Sequence, residues 1–205
     1  MSDFSVTTID LLRHGACEGG EIFRGSTDVA LSEEGWRQMR SAVAELGGWT
    51  HIVSSDLQRC RAFALWLGRE CGAPVSEDPR FREIHFGDWE GQRVSDVREN
   101  YPEQWRAFFG QPAQACAPNG EAMADFHDRV TPAIREWVER LQGEHLLLVA
   151  HGAVIRSVIV HWLRMPLDAI THLSVPYASF TRFKIFHQAG SKPWAQLVFH
   201  RGESG

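Results

Sequence analysis

Two apolar runs in this chain each stop on a histidine that is followed at once by glycine. Val6–Leu12 leads into Arg13-His14-Gly15, and Leu146–Ala150 leads into His151-Gly152. Both are strand-length, and the second is apolar throughout, the pattern of a strand buried on both faces. Such a strand needs helices on both sides of its sheet. Ligands of open α/β sheets bind at the carboxyl ends of the strands. With the two strands as parallel neighbours, His14 and His151 face one site, and the glycine after each lets the backbone approach a ligand.

The segments between them read as alternating helices and strands. Ser32 caps a helix with Glu33 and Glu34 in its first turn, ending at Gly47-Gly48, with Trp36, Met39, Val43 and Leu46 on one face. His51–Ser54 is a short strand, and Asp56 is the expected cap of a helix that carries Leu57, Cys60, Ala64, Leu67 and Cys71 and stops at Gly72. Pro74–Glu77 is a further short strand. Asn119 is expected to open a long amphipathic helix reaching Leu141, with Pro132 inside it. A helix over Val154–Leu163 and closing strands at Phe180–Phe186 and Gln196–His200 complete the series. The alternation predicts a three-layer α/β/α sandwich with a mostly parallel central sheet. It forms a single domain over 1–205, with an irregular helical insertion at about 88–120.

The net charge of -5 offers no general attraction to nucleic acid or to an anionic membrane. An anionic substrate must therefore be held by clustered arginine. Arg59 falls in the first turn of its helix, where free N–H groups already attract anions and a guanidinium adds bidentate phosphate geometry. The four cysteines show no CxxC spacing, and the ten histidines include no HxH or HExxH, so no metal site is expected. Reduced thiols, the lack of a signal-peptide pattern at Met1–Asp10 and the lack of a span-length apolar stretch point to a cytoplasmic protein. Both a monomer and a homodimer are open.

Read in order, these segments resemble the histidine phosphatase (phosphoglycerate mutase-like) superfamily. Arg13-His14-Gly15 is similar to its signature, and Phe23–Asp28 with Leu31-Ser32-x-x-Gly35 to the stretch that follows. Ser54–Arg59 resembles its S-S-x-L-x-R element, Phe81–Gly87 its L-R-E-x-x-F-G element, and Val149–Arg156 its second-histidine element. The resemblance implies a phosphatase that works through a phosphohistidine on His14 and needs no cofactor. Arg13, Arg59 and His151 would clamp the phosphate, and Glu83 would give the proton to the leaving oxygen. Gly15, Arg24, Gly25 and Gly152 would lie against phosphate or substrate. A neutral imidazole can attack phosphorus, so arginine charges that disfavour imidazolium help keep His14 nucleophilic.

The chain departs from the family pattern at Ala16, where a glutamate is frequent, and at Ala122, where a hydroxyl is common. The motif wording at Leu57–Ala64 and Val175–Ser179 is most similar to the α-ribazole-5′-phosphate phosphatases, which implies that small-molecule ester as substrate. Trp89, Trp105, Phe108 and Phe109 would then wall a flat base. A broad-specificity acid phosphatase, a phosphoglycerate mutase-type phosphotransferase and an inactive scaffold are the alternatives. The arginines between Glu83 and His151, Arg129 among them, read as mostly solvated.

Overall fold

The computed structural model describes residues 4–202. Strands β1 (Phe4–Arg13), β2 (His51–Ser54), β3 (Val75–Glu77), β4 (His145–Ala150), β5 (Phe180–Gln188) and β6 (Trp194–Arg201) form one sheet. Their order is β3-β2-β4-β1-β5-β6. The first four are parallel, and β5 and β6 close the sheet antiparallel. The helices are α1 (Glu33–Val43), α2 (Gln58–Cys71), α3 (Val94–Asn100), α4 (Pro102–Gly110), α5 (Met123–Arg140) and α6 (Gly152–Trp162). The molecule thus has the expected α/β architecture, with α3 and α4 in the insertion.

The period of two along β4 builds the layers. Leu146, Leu148 and Ala150 pack into the core that holds Ile134 of α5 and Val158 of α6. Leu147 and Val149 point the other way, into the core of Met39 from α1 and Phe63 and Leu67 from α2. These five β4 side chains are fully buried. Each large one contributes roughly 1.5–3 kcal/mol of apolar burial.

Register places the site. Arg13 pairs with Ala150, so His14 and His151 leave the sheet side by side at the carboxyl ends of β1 and β4. The amide of His14 donates to Ala150 O at 3.0 Å and that of Ala178 to His14 O at 3.3 Å, which fixes the exit of β1.

Four helix boundaries differ from expectation. Asp56 does not cap α2; its carboxylate pairs with Arg82 at 2.6 Å. The free N–H of Gln58 donates instead to Asp28 Oδ1 at 2.7 Å, a cap supplied from a distant loop. Asn119 does not open α5. It takes a left-handed φ of 56° in the turn before it, and the helix begins at Met123. α1 ends at Val43, short of Gly47-Gly48, and α6 starts at Gly152 rather than Val154. No helix among the described residues is long and apolar enough to cross a membrane.

Candidate active site

His14 is 4% exposed, and its Nδ1 lies 2.8 Å from the carbonyl oxygen of Gly15. A carbonyl only accepts, so Nδ1 carries the proton and Nε2 keeps a free lone pair. Burial, then the charges of Arg13 and Arg59, push the imidazole pKa well below its usual range, against the opposing pull of the Gly15 bond. The ring is therefore neutral.

His151 stands with its ring centroid 5.2 Å from that of His14 and is fully buried. Arg59 donates Nε–H to its Nδ1 at 3.2 Å, and its Nε2 lies 2.8 Å from Ser55 Oγ. Burial and the Arg59 charge hold this imidazole neutral as well. Cys17 and Cys60 sit beside the two rings, with Sγ 3.5 Å from His14 Nδ1 and 3.6 Å from His151 Nε2. Burial pushes both thiols up, so neither is a thiolate.

Arg59 is also fully buried, and its fork is engaged by the protein. Nη1 donates to Thr27 O at 2.8 Å, and Nη2 to Gly25 O at 2.8 Å and Arg24 O at 3.2 Å. On the other side of this loop the Glu90 carboxylate accepts from the amides of Ser26, Thr27 and Phe86. A 24–27 loop has few internal hydrogen bonds of its own, and these two side chains supply them from either flank.

Arg13 and Arg24 line the cleft in front of His14. Arg13 Nη1 donates to Val175 O at 2.6 Å, and its guanidinium carbon lies 4.2 Å from the centre of the Tyr177 ring. Arg24 Nη2 donates to Glu18 O at 2.6 Å and also to Gly20 O. The Nε–H of each is buried without a partner. Leaving a charged donor unpaired costs on the order of 1–3 kcal/mol or more. Both guanidiniums border the cleft, so their charge favours an anion there.

Glu83 lines the same cleft, its carboxylate accepting from Ile84 N at 3.1 Å and from Ala153 N, in the first turn of α6, at 3.2 Å. Arg129, expected to be solvated, instead fixes this carboxylate's chain. It donates to Glu83 O at 3.1 Å and to the carbonyls of Arg80 and Arg82, while Glu121 pairs with it at 2.6 Å. From α5 it reaches across to the loop, a contact that no local pattern encodes.

The glycines divide by role. A Cβ at Gly15 would lie 2.3 Å from Gly35 O, and one at Gly25 would lie 2.2 Å from Ile84 O. Both are packing requirements. Gly152 faces the cleft, with Arg13 and Arg156 as the nearest groups.

The cavity measures about 310 Å³, and much of its lining is apolar. Phe23, Phe86, Phe108 and Phe109 line it. The two tryptophans expected there do not. Trp89 is fully buried in the core, and Trp105 stacks behind the wall, 4.3 Å from Phe109 and 6.2 Å from Phe23. Trp105 and Phe109 share one face of α4 at i, i+4, and it is Phe109 that reaches the cavity. Tyr177 and Arg156 also line the site, two positions whose role the sequence motifs do not reveal. Arg156 stands one helical turn after Gly152, a spacing that could have flagged it.

Among curated proteins, the chain is 33% identical to the "Probable phosphoglycerate mutase GpmB" of Serratia proteamaculans, over 90% of this chain and 86% of that protein. It is 31% identical to the glucosyl-3-phosphoglycerate phosphatase of Mycolicibacterium vanbaalenii, over 98% of this chain and 88% of that one. The solved structure of the α-ribazole phosphatase from Shigella flexneri superposes with a TM-score of 0.80, covering 95% of this chain and 96% of that one. Its sequence identity is 22%, a likeness of fold alone. The family model of the histidine phosphatase superfamily (branch 1) matches residues 9–194, and the chain belongs to that superfamily.

Proposed function

We propose that this protein hydrolyses a small-molecule phosphomonoester through a phosphohistidine on His14, and that α-ribazole 5′-phosphate is its substrate. The observation that carries the first part is the meeting of a neutral His14 with the buried, partnerless Nε–H groups of Arg13 and Arg24. A phosphate there meets the charge of both guanidiniums while His14 Nε2 attacks phosphorus. Phosphoryl transfer depends mostly on positioning and charge stabilisation, and the charge of Arg59 adds to that of the two cleft arginines.

In the first step the N–P bond forms and the ester P–O bond breaks. Glu83 gives its proton to the leaving alkoxide. In the second step Glu83 takes a proton from water, the water oxygen attacks phosphorus, and the N–P bond breaks to release inorganic phosphate. His14 returns to its starting state. Dividing one displacement into two lowers each barrier. His151, locked neutral by Arg59, orients the back of the site.

The substrate reading is supported by the apolar half of the cavity, where Phe86, Phe108 and Phe109 give a flat base a face to stack on. Free thiols at Cys17, Cys60, Cys71 and Cys116 fit a reducing, cytoplasmic setting. A phosphoglycerate ester is the second reading. It is favoured by the names of the relatives above 30% identity and by a further cleft arginine, Arg156.

The test compares turnover of α-ribazole 5′-phosphate, 3-phosphoglycerate and p-nitrophenyl phosphate by wild type and Phe109→Ala. The α-ribazole reading expects the highest kcat/KM on that ester and a selective loss of it in Phe109→Ala. A preference for 3-phosphoglycerate that ignores Phe109 establishes the second reading in its place.

A further inference from the structure

We propose that Arg156 determines specificity in this cleft by binding an oxygen acceptor on the leaving alcohol of the substrate, a hydroxyl or carboxylate close to the ester bond. The inference rests on the phosphomonoesterase reading above and assigns the side of the cleft beyond the phosphate.

Arg156 lines the cavity from α6, and one bond aims it: Nε–H donates to Leu173 O at 2.8 Å. Its two terminal nitrogens have no partner among the described residues, and no carboxylate pairs with it. A guanidinium so placed, beside a second one, is an acceptor site by its chemistry. Arg13 and Arg156 converge on Gly152, whose missing side chain leaves the gap between them. A Cβ there would lie 3.4 Å from Arg13 Nε and 3.7 Å from Arg156 Nη1. Replacement of Gly152 by a larger residue would fill that gap.

Geometry places Arg156 beside Glu83: the Glu83 carboxylate accepts from Ala153 N at 3.2 Å, and Arg156 follows Ala153 by three residues on the same face of α6. Glu83 is the group that protonates the leaving oxygen in the proposed mechanism. Arg156 therefore stands on the leaving-group side, with Thr171 and Ile170 of the neighbouring turn lining the cavity next to it. A bare phenyl ester offers this corner no acceptor. A ribosyl ester offers hydroxyl oxygens, and a phosphoglycerate offers a carboxylate.

The experiment measures kcat/KM of wild type, Arg156→Met and Arg156→Lys on phenyl phosphate, ribose 5-phosphate and 3-phosphoglycerate, with thermal melting to confirm that each variant folds. Arg156→Met is expected to lose about 10–100-fold on at least one of the two oxygen-bearing esters, the worth of a charged hydrogen bond. Phenyl phosphate should stay within about 3-fold of wild type. The ester that loses more identifies the acceptor as hydroxyl or carboxylate. Arg156→Lys should recover part of a loss on the carboxylate, because the charge is kept. An equal loss on all three esters overturns the proposal, because Arg156 would then serve the phosphoryl group. No loss on any ester overturns it too. Hydrolysis of phenyl phosphate that survives His14→Ala would sink the parent reading instead.

Discussion

Arg59 donates its Nε–H to Nδ1 of His151 at 3.2 Å, and this bond settles the tautomer of that imidazole. A guanidinium nitrogen of this kind only donates, so His151 keeps its proton on Nε2, toward Ser55. The remaining nitrogens of Arg59 carry the 24–27 loop, so one buried side chain ties α2, β4 and that loop together.

Arg59→Lys is expected to preserve the charge and lose the fork. Unfolding by urea should show a loss of about 3 kcal/mol, the range for breaking one partner of a buried charged network. A variant within about 0.5 kcal/mol of wild type would mean that the loop is held by other contacts.

The neutrality of His14 is open to nitrogen NMR. Burial and three arginine charges depress its pKa well below the ordinary 6.5, so the ring should remain the Nδ1–H tautomer when a free histidine is half protonated. Spectra of the ligand-free protein at pH 6 test this. An imidazolium signal from His14 at that pH would contradict the account.

Arg129 holds the chain of Glu83, the proton donor of the proposed mechanism. Arg129→Gln should slow alkyl phosphate esters by about 10-fold or more, since general acid catalysis supplies about 10²–10⁴-fold where the leaving group is poor. p-Nitrophenyl phosphate, whose leaving group needs no proton, should change little. Parallel loss on both esters would show that Arg129 supports the fold rather than the acid.

Glu90 links this architecture to pH. Burial raises its carboxyl pKa, but hydrogen bonds from Thr27, Phe86 and Ser26 outweigh that and hold it below the ordinary 4.5. A depressed folded-state value stabilises the protein above the ordinary range, and that contribution is lost as pH falls through the depressed value. Glu90→Gln should therefore be about 1–2 kcal/mol less stable near neutrality and approach wild type below pH 4.5. A gap that is constant across pH would assign the loss to packing.

The pairing of His14 with His151 was legible because it needs only two strand ends and their parallel register. Arg13 and Glu83 were legible from motif order. The other contacts are non-local. Asp28 caps a helix 30 residues away, and Arg129 reaches a loop 46 residues back. Of the four aromatics expected in the wall, Phe108 and Phe109 reach the cavity and Trp89 and Trp105 do not, a division that tertiary packing decides. Asn119 looked like a cap by residue type, yet the same side chain tolerates a left-handed turn, and the turn won.

The central claim is a covalent phosphate on His14. Rapid acid-free quenching of enzyme mixed with a ³²P-labelled ester, followed by peptide mapping, tests it directly. The account predicts a base-stable, acid-labile label on the peptide that contains His14, absent from His14→Ala along with turnover. Label on another residue, or turnover that persists in His14→Ala, would contradict it.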